Sequence, residues 1–149
     1  TYKYLLAENV QDWTGGLVME DGMFLACEST VSHQIQARSN LSSAALGNEG
    51  LFNLKLAGNG ACVLESNVPR SEIVEIELQN AVLKIDGRFA ICWSGSLTFT
   101  VERSGKTLIG SAASGEGLVN VYKGTGRVWL APLTPSQSLF SATFAKNAK

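Results

Sequence analysis

The sequence predicts an all-β protein, a duplicated antiparallel β-sandwich closed by one short C-terminal helix. Three observations carry this expectation. Apolar and polar residues alternate over short runs such as TVSHQIQAR (30–38) and SLTFTVER (96–103), the period of two that half-buried strands show. Glycine-containing turn signals separate the runs. The second half of the chain also repeats phrases of the first, in the same order.

The repetition is specific. Aligning LVMEDGMFLACE (17–28) with VLKIDGRFAICW (82–93) matches Asp21 with Asp86, Gly22 with Gly87, Phe24 with Phe89 and Cys27 with Cys92. Aligning NEGLFNL (48–54) with GEGLVNV (115–121) matches Glu49 with Glu116 and Asn53 with Asn120. GNGACVL (58–64) over GTGRVWL (124–130) matches Gly58 with Gly124 and Gly60 with Gly126. The three blocks keep nearly one offset, 65 to 67 residues. We therefore expect one domain, residues 1–149, built of two related units at about 15–66 and 72–132.

Within each unit the elements follow in order. Asp21-Gly22 and Asp86-Gly87 each sit between two strand-like runs, the strongest short hairpin signal, because a type I′ turn needs φ > 0 at both central residues. Gly58-Asn59-Gly60 and Gly124-Thr125-Gly126 mark a second turn, with ACVLE and RVWLA as the strands that leave it. Helix is expected only at the end. Thr134 precedes Pro135 and stands three residues before Gln137, a capping box with proline at the first helical position. The helical tail over 134–146 then carries Leu139, Phe140 and Phe144 on one side, suited to packing on a sheet.

Composition bounds the function. Hydrophobic residues make up 45% of the chain and charged residues 17%, against about 25% charged in an average domain, so much surface is neutral or covered. The net charge is -1 and no stretch concentrates positive charge, which argues against a nucleic-acid partner. No window approaches the ~20 apolar residues of a membrane span, and peripheral membrane association stays open. The start, TYKYLLAENVQDW, lacks the pattern of a signal peptide. Cys27, Cys62 and Cys92 are odd in number and widely spaced, so free thiols are expected rather than a disulfide framework, in a cytoplasmic protein.

At GEGLVNVYKGTGRVWLAP (115–132), and at its weaker copy over 48–65, the chain resembles the altered-inheritance-of-mitochondria protein 24 family. The resemblance covers most of residues 15–132. It implies a fold akin to the trp RNA-binding attenuation protein and to double-stranded β-helices, and it implies oligomers. The mitochondrial members are linked to inner-membrane organisation and the bacterial members are largely uncharacterised, so the resemblance carries over no catalytic residue and no cofactor.

The candidate sites follow from residue chemistry. Ser104-Gly105-Lys106-Thr107 lacks the leading glycine of a phosphate-binding loop, since Thr100 stands there, and reads as a hairpin turn. His33 is the single histidine, so Cys27 or Cys92 as a nucleophile has one base to draw on, and small core residues explain both better. A metal site lacks ligands, and no metal or cofactor is expected. Glu49 and Glu116 recur in both units, either capping turns or converging as an acid/base pair. Asn53 and Asn120 recur as hydrogen-bonding residues at a bend. Tyr122 and Trp129, with Lys123 and Arg127, could stack on and clamp a base or an acidic ligand. The plainer expectation is core aromatics with solvated neighbours.

These readings converge on a non-enzymatic oligomeric structural or protein-interaction module, a closed cyclic homo-oligomer with the trimer as its expected size and room for an unknown protein partner. A small-ligand or RNA-binding ring or trimer is the alternative, and a carboxylate-based enzyme the second alternative.

Overall fold

The computed structural model describes residues 3–37, 52–86, 89–103 and 118–132. They form ten strands: β1 (Tyr4–Asn9), β2 (Leu17–Met19), β3 (Phe24–Cys27), β4 (Val31–Ala37), β5 (Phe52–Gly58), β6 (Ala61–Ser66), β7 (Val74–Asp86), β8 (Ala90–Ser94), β9 (Thr98–Arg103) and β10 (Leu118–Leu130). The helical content among these residues is two single turns of 3-10 helix, Val10–Asp12 and Arg70–Glu72. The protein is all-β, in two antiparallel sheets. One has the order β1-β6-β3; the other runs β4-β5-β2-β8-β10-β7, with β9 also paired to β10. The expected helix over 134–146 lies outside the described residues.

The buried residues form two cores. Leu6, Leu64, Met19, Leu56, Cys92 and Trp129 belong to the first, between the small sheet and the larger one. Val18, Leu78, Trp93, Leu97, Tyr122 and Val128 belong to the second. Successive strand residues point to opposite faces, so Leu17 and Met19 serve one core and Val18, between them, the other. The strands β2, β8 and the end of β10 are therefore a middle layer, apolar on both sides. This explains why β2 and β8 are buried at every position, where a strand with one wet face would alternate. In the second core, Trp93, Phe99 and Tyr122 form a ring triad with centroids 5.2 to 5.4 Å apart.

The turn signals behave differently from the hairpin expectation. Asp21-Gly22 is a turn, with Gly22 at φ +79°, but β2 pairs in the large sheet and β3 in the small one. It carries the chain from sheet to sheet. Gly58-Asn59-Gly60 does the same between β5 and β6. Asp86 ends β7, and β7 does not pair with β8, because β10 lies between them; Gly87 is outside the described residues. The hairpin rule assumes that consecutive strands become neighbours, and here each such pair is split across sheets or by an intervening strand.

Gly124-Thr125-Gly126 departs furthest. Instead of a turn it is a bulge within one 13-residue strand, since β10 stays paired with β7 on both sides, Gly124 opposite Ala81 and Gly126 opposite Leu78. The bulge is closed by side chains. Asn80, at φ +48°, donates its N–H to Thr125 Oγ1 at 2.9 Å; Ser96 Oγ donates to the Thr125 carbonyl at 2.7 Å; Arg127 N–H donates to Ser94 Oγ at 3.0 Å. The two halves still use matching ladders. His33 opposite Leu56 and Phe99 opposite Tyr122 are the same register displaced by 66 residues on both strands.

A side chain at Gly126 would place Cβ 2.6 Å from Ser94 Cβ, whereas one at Gly22 would meet nothing within 4 Å. Gly126→Ala should therefore lower unfolding free energy by about 3 kcal/mol, through overpacking, and Gly22→Ala by only about 1 kcal/mol, through its positive φ. Urea denaturation of the two variants checks the order; equal losses would mean that the bulge does not approach β8.

Candidate functional site

The largest concentration of interacting polar and aromatic groups lies where the first and last described segments meet. After β1 the 3-10 turn at Val10–Asp12 delivers Trp13 into the first core, where it meets Trp129 of β10 edge to face, with ring centroids 5.0 Å apart. Both rings are about 1% exposed. Arg127 and Glu75 come to the same place through strand geometry, because Trp129 pairs with Glu75 across the ladder and Arg127 stands two residues before Trp129 on the same face. Arg70 arrives on the second 3-10 turn.

The contacts are reciprocal. The Arg70 guanidinium lies 4.3 Å from the centre of the Trp129 ring, and that of Arg127 lies 4.6 Å from Trp13. Glu75 joins them: it accepts from Trp129 Nε1 at 2.5 Å and from Arg70 at 2.9 Å, and its other oxygen is 3.6 Å from Arg127. Arg127 also donates to the Asp12 carbonyl. Trp13 Nε1 donates to Glu8 at 3.4 Å. Burial pushes the Glu8 carboxyl above its ordinary value of 4.5, against the opposing pull of the Trp13 hydrogen bond and of Arg70 and Arg127. Two arginines and two carboxylates interleave two indoles, and the indole N–H groups and guanidinium forks are engaged with protein. The arrangement works as a tie that holds the segment from Glu8 to Trp13 to β10.

Beside it opens a groove of about 290 Å³ lined by Asp12, Glu77, Ser94, Thr125 and Arg127. A second cavity, about 360 Å³, is lined by Glu20, Asp21, Phe24, Ile35, Asn53 and Leu54. Among the described residues no group of three or more His, Cys, Asp or Glu side chains is placed to hold a metal ion. Nor is any helix there long and apolar enough to cross a membrane.

Of the residues singled out from sequence, the structure brings Arg127 and Trp129 together. Tyr122 is in the second core and Trp129 in the first, while Lys123, next to Tyr122, is exposed, so the four do not form one clamp. Neither ring offers a face for a base to stack on. Asn53 and Asn120 are buried within β5 and β10, in ladder positions opposite Gln36 and Ile85 rather than at a bend. Glu49, Glu116, Leu139, Phe140 and Phe144 lie outside the described residues. Cys62 and Cys92 are buried free thiols, and burial pushes the Cys62 thiol up to about 11 and that of Cys92 well above its ordinary value; Cys27 is only partly buried. Sequence reasoning missed Glu8, Trp13, Arg70 and Glu75. A usable signal existed: Arg127 and Trp129 stand where the first unit has Ala61 and Val63, so the tie is marked by mismatches between the repeats.

Two antiparallel sheets joined by a buried aromatic and ionic tie define an all-β fold. The chain belongs to the family described as Mitochondrial biogenesis AIM24, whose model matches residues 6–133. It is 27% identical over 120 residues to an uncharacterized protein of Streptococcus pyogenes serotype M6, covering 80% of this chain and 46% of that protein. It also shares its fold with the crystal structure of a Streptococcus pyogenes protein, at a TM-score of 0.70 and 23% identity, over 96% of this chain and 59% of that one. The chain thus spans about half the length of these relatives.

The raised Glu8 carboxyl has a pH consequence. A carboxyl whose folded pKa exceeds its unfolded one adds stability while protonated, and that contribution is lost as pH rises through the folded pKa. Glu8→Gln should therefore gain thermal stability relative to the parent as pH rises from below 4.5 to 7. Melting curves across that range check the sign; a constant difference would mean that Glu8 titrates as it does in the unfolded chain.

Proposed function

We propose that this chain is a non-enzymatic interaction module of the cytoplasm that works as a closed cyclic homo-oligomer, a trimer, and that it arose by duplication of one unit. The observation that supports self-association is the outward face of the three-stranded sheet. The face of an antiparallel sheet that points away from a core is normally polar. Here the alternation that sends Leu6, Cys62 and Leu64 inward sends Leu5, Ala7 and Val63 outward, with Ala26 in register beside Val63 and the bulged Leu25 next to it. Leu5 is 64% exposed and Leu25 45%. Glu65 on this face is held by Lys3 at 3.6 Å.

Both outer strands, β1 and β3, are also edges of their sheet among the described residues, and an unpaired edge invites a further strand. Seating the apolar face of one copy against the open edge of the next removes both from water, at about 25 cal/mol per Å² of apolar area. Repeated around an axis, such contacts close into a ring. The duplication reading is supported by ladders that match at a displacement of 66 residues. The non-enzymatic reading is supported by the chemistry of the thiols: burial keeps Cys62 and Cys92 protonated, and the groups acting on them are acidic or thiol.

Sedimentation equilibrium tests the assembly. The parent should give a fixed multiple of 15.9 kDa, and the double variant Leu5→Asp/Leu25→Asp should give 15.9 kDa with the same circular dichroism. A parent that stays monomeric at high micromolar concentration would falsify the proposal, and an assembled double variant would place the contact elsewhere.

A further inference from the structure

The three cysteines, far apart in sequence, converge. Cys27 on β3 stands directly opposite Cys62 on β6; Cys62 and Cys92 of β8 belong to the first core, and Cys27 packs against it. The hydrogen-bond pattern locates the facing pair more closely. Glu28 N–H donates to the Ala61 carbonyl at 3.0 Å, which makes Glu28 and Ala61 the hydrogen-bonded position of the ladder. Antiparallel ladders alternate, so Cys27 and Cys62, one step along, occupy the non-hydrogen-bonded position, where Cα atoms are about 4.5 Å apart and side chains are closest. That separation falls inside the range of roughly 4.4 to 6.8 Å over which a disulfide closes.

The neighbours fit this pairing. Cys62 is fully buried and Cys27 partly exposed, so a reagent can reach one thiol of the pair from outside and the second only through the first. The ladder end next to the pair is fixed by Glu28, whose carboxylate accepts from Ala61 N–H at 2.8 Å. The ladder partners of Cys92 are Trp129 and Met19, so no second thiol stands opposite it.

We propose that Cys27 and Cys62 form a dithiol–disulfide couple, a modification site that small-molecule disulfides of the glutathione class oxidise. The Cys27 thiolate attacks one sulfur of the reagent, R–S–S–R, forming Cys27–S–S–R and releasing one thiol, RSH, once the solvent supplies a proton. Cys62 loses its proton and attacks Cys27 Sγ, forming the Cys27–Cys62 bond and expelling the second RSH. Two protein thiols are oxidised by two electrons and one reagent disulfide is reduced to two thiols. Burial lifts the Cys62 thiol to about 11, so this second step is the slow one and the mixed disulfide accumulates first. The finished bond ties the short edge strand β3 to the middle strand of its sheet.

The test treats the native protein with glutathione disulfide at about pH 8, where an ordinary thiol is partly ionised, and follows intact mass and thiol peptides. The expected course is a transient glutathione adduct, then a product lacking two hydrogens whose linked peptides contain Cys27 and Cys62, with Cys92 alkylated only in denaturant. The oxidised form should melt at a higher temperature than the reduced one, and dithiothreitol should reverse both changes. Cys62→Ala should stop at a stable glutathione adduct on Cys27, and Cys27→Ala should not react. A parent that keeps the adduct, that stays unreacted, or that links either cysteine to Cys92 or to another chain overturns the proposal. So does a Cys62→Ala variant that still loses two hydrogens.

Discussion

A strand can line two cores only if it changes direction without losing its partner, and the architecture of this chain depends on β10 doing so. Gly124 and Gly126 put a bulge into β10, Asn80 answers it in β7, and the ladder between them continues on both sides. Before the bulge β10 pairs with β9 and presents Tyr122 to Trp93; after it β10 pairs with β8 and presents Trp129 to Trp13. Gly126 has no Cβ because Ser94 occupies that space. The freed backbone groups of the bend go to Thr125, Ser94 and Ser96, so the irregularity keeps its hydrogen bonds.

The tie around Trp129 is the second consequence. A tryptophan buried on the far side of the bend has to place its indole N–H, and Glu75, its ladder partner, accepts it. A carboxylate drawn this close to a core needs compensating charge, which Arg70 and Arg127 supply while covering the two indole rings. Residues from the second 3-10 turn, β7 and β10 thus meet at one carboxylate.

Much of the fold was legible because its signals are local. Alternation gave strands, and the glycine pairs marked real changes of direction. What the glycines could not convey is where the chain goes afterwards. Gly58-Asn59-Gly60 leads β5 into a different sheet, whereas Gly124-Thr125-Gly126 bends a strand that stays in one, and the difference lies in what pairs across from it: β7 spans the bend, whereas β4 begins at Val31, opposite Gly58, and the ladder goes no further. Trp129 and Arg127 were legible as unusual residues, yet their partners were not, because Trp13, Arg70 and Glu75 lie outside the matched phrases and meet them only through tertiary packing. Tyr122 was grouped with Trp129 by proximity in sequence, and the bulge sends the two into different cores.

The middle layer sets an order of events during synthesis. β2 emerges early, but its two apolar faces are covered by strands that come much later, Trp93 on β8 and the two limbs of β10. Trp13 likewise waits for Trp129, and the contact of Arg127 with Asp12 closes a loop of 115 residues. Long-range closures of this kind are slow and leave apolar strand exposed meanwhile. A nascent chain halted before β10 can pair β1 and β3 with β6, and β2 and β4 with β5, yet one face of β2 and the Trp13 ring stay uncovered until the last ladder is released.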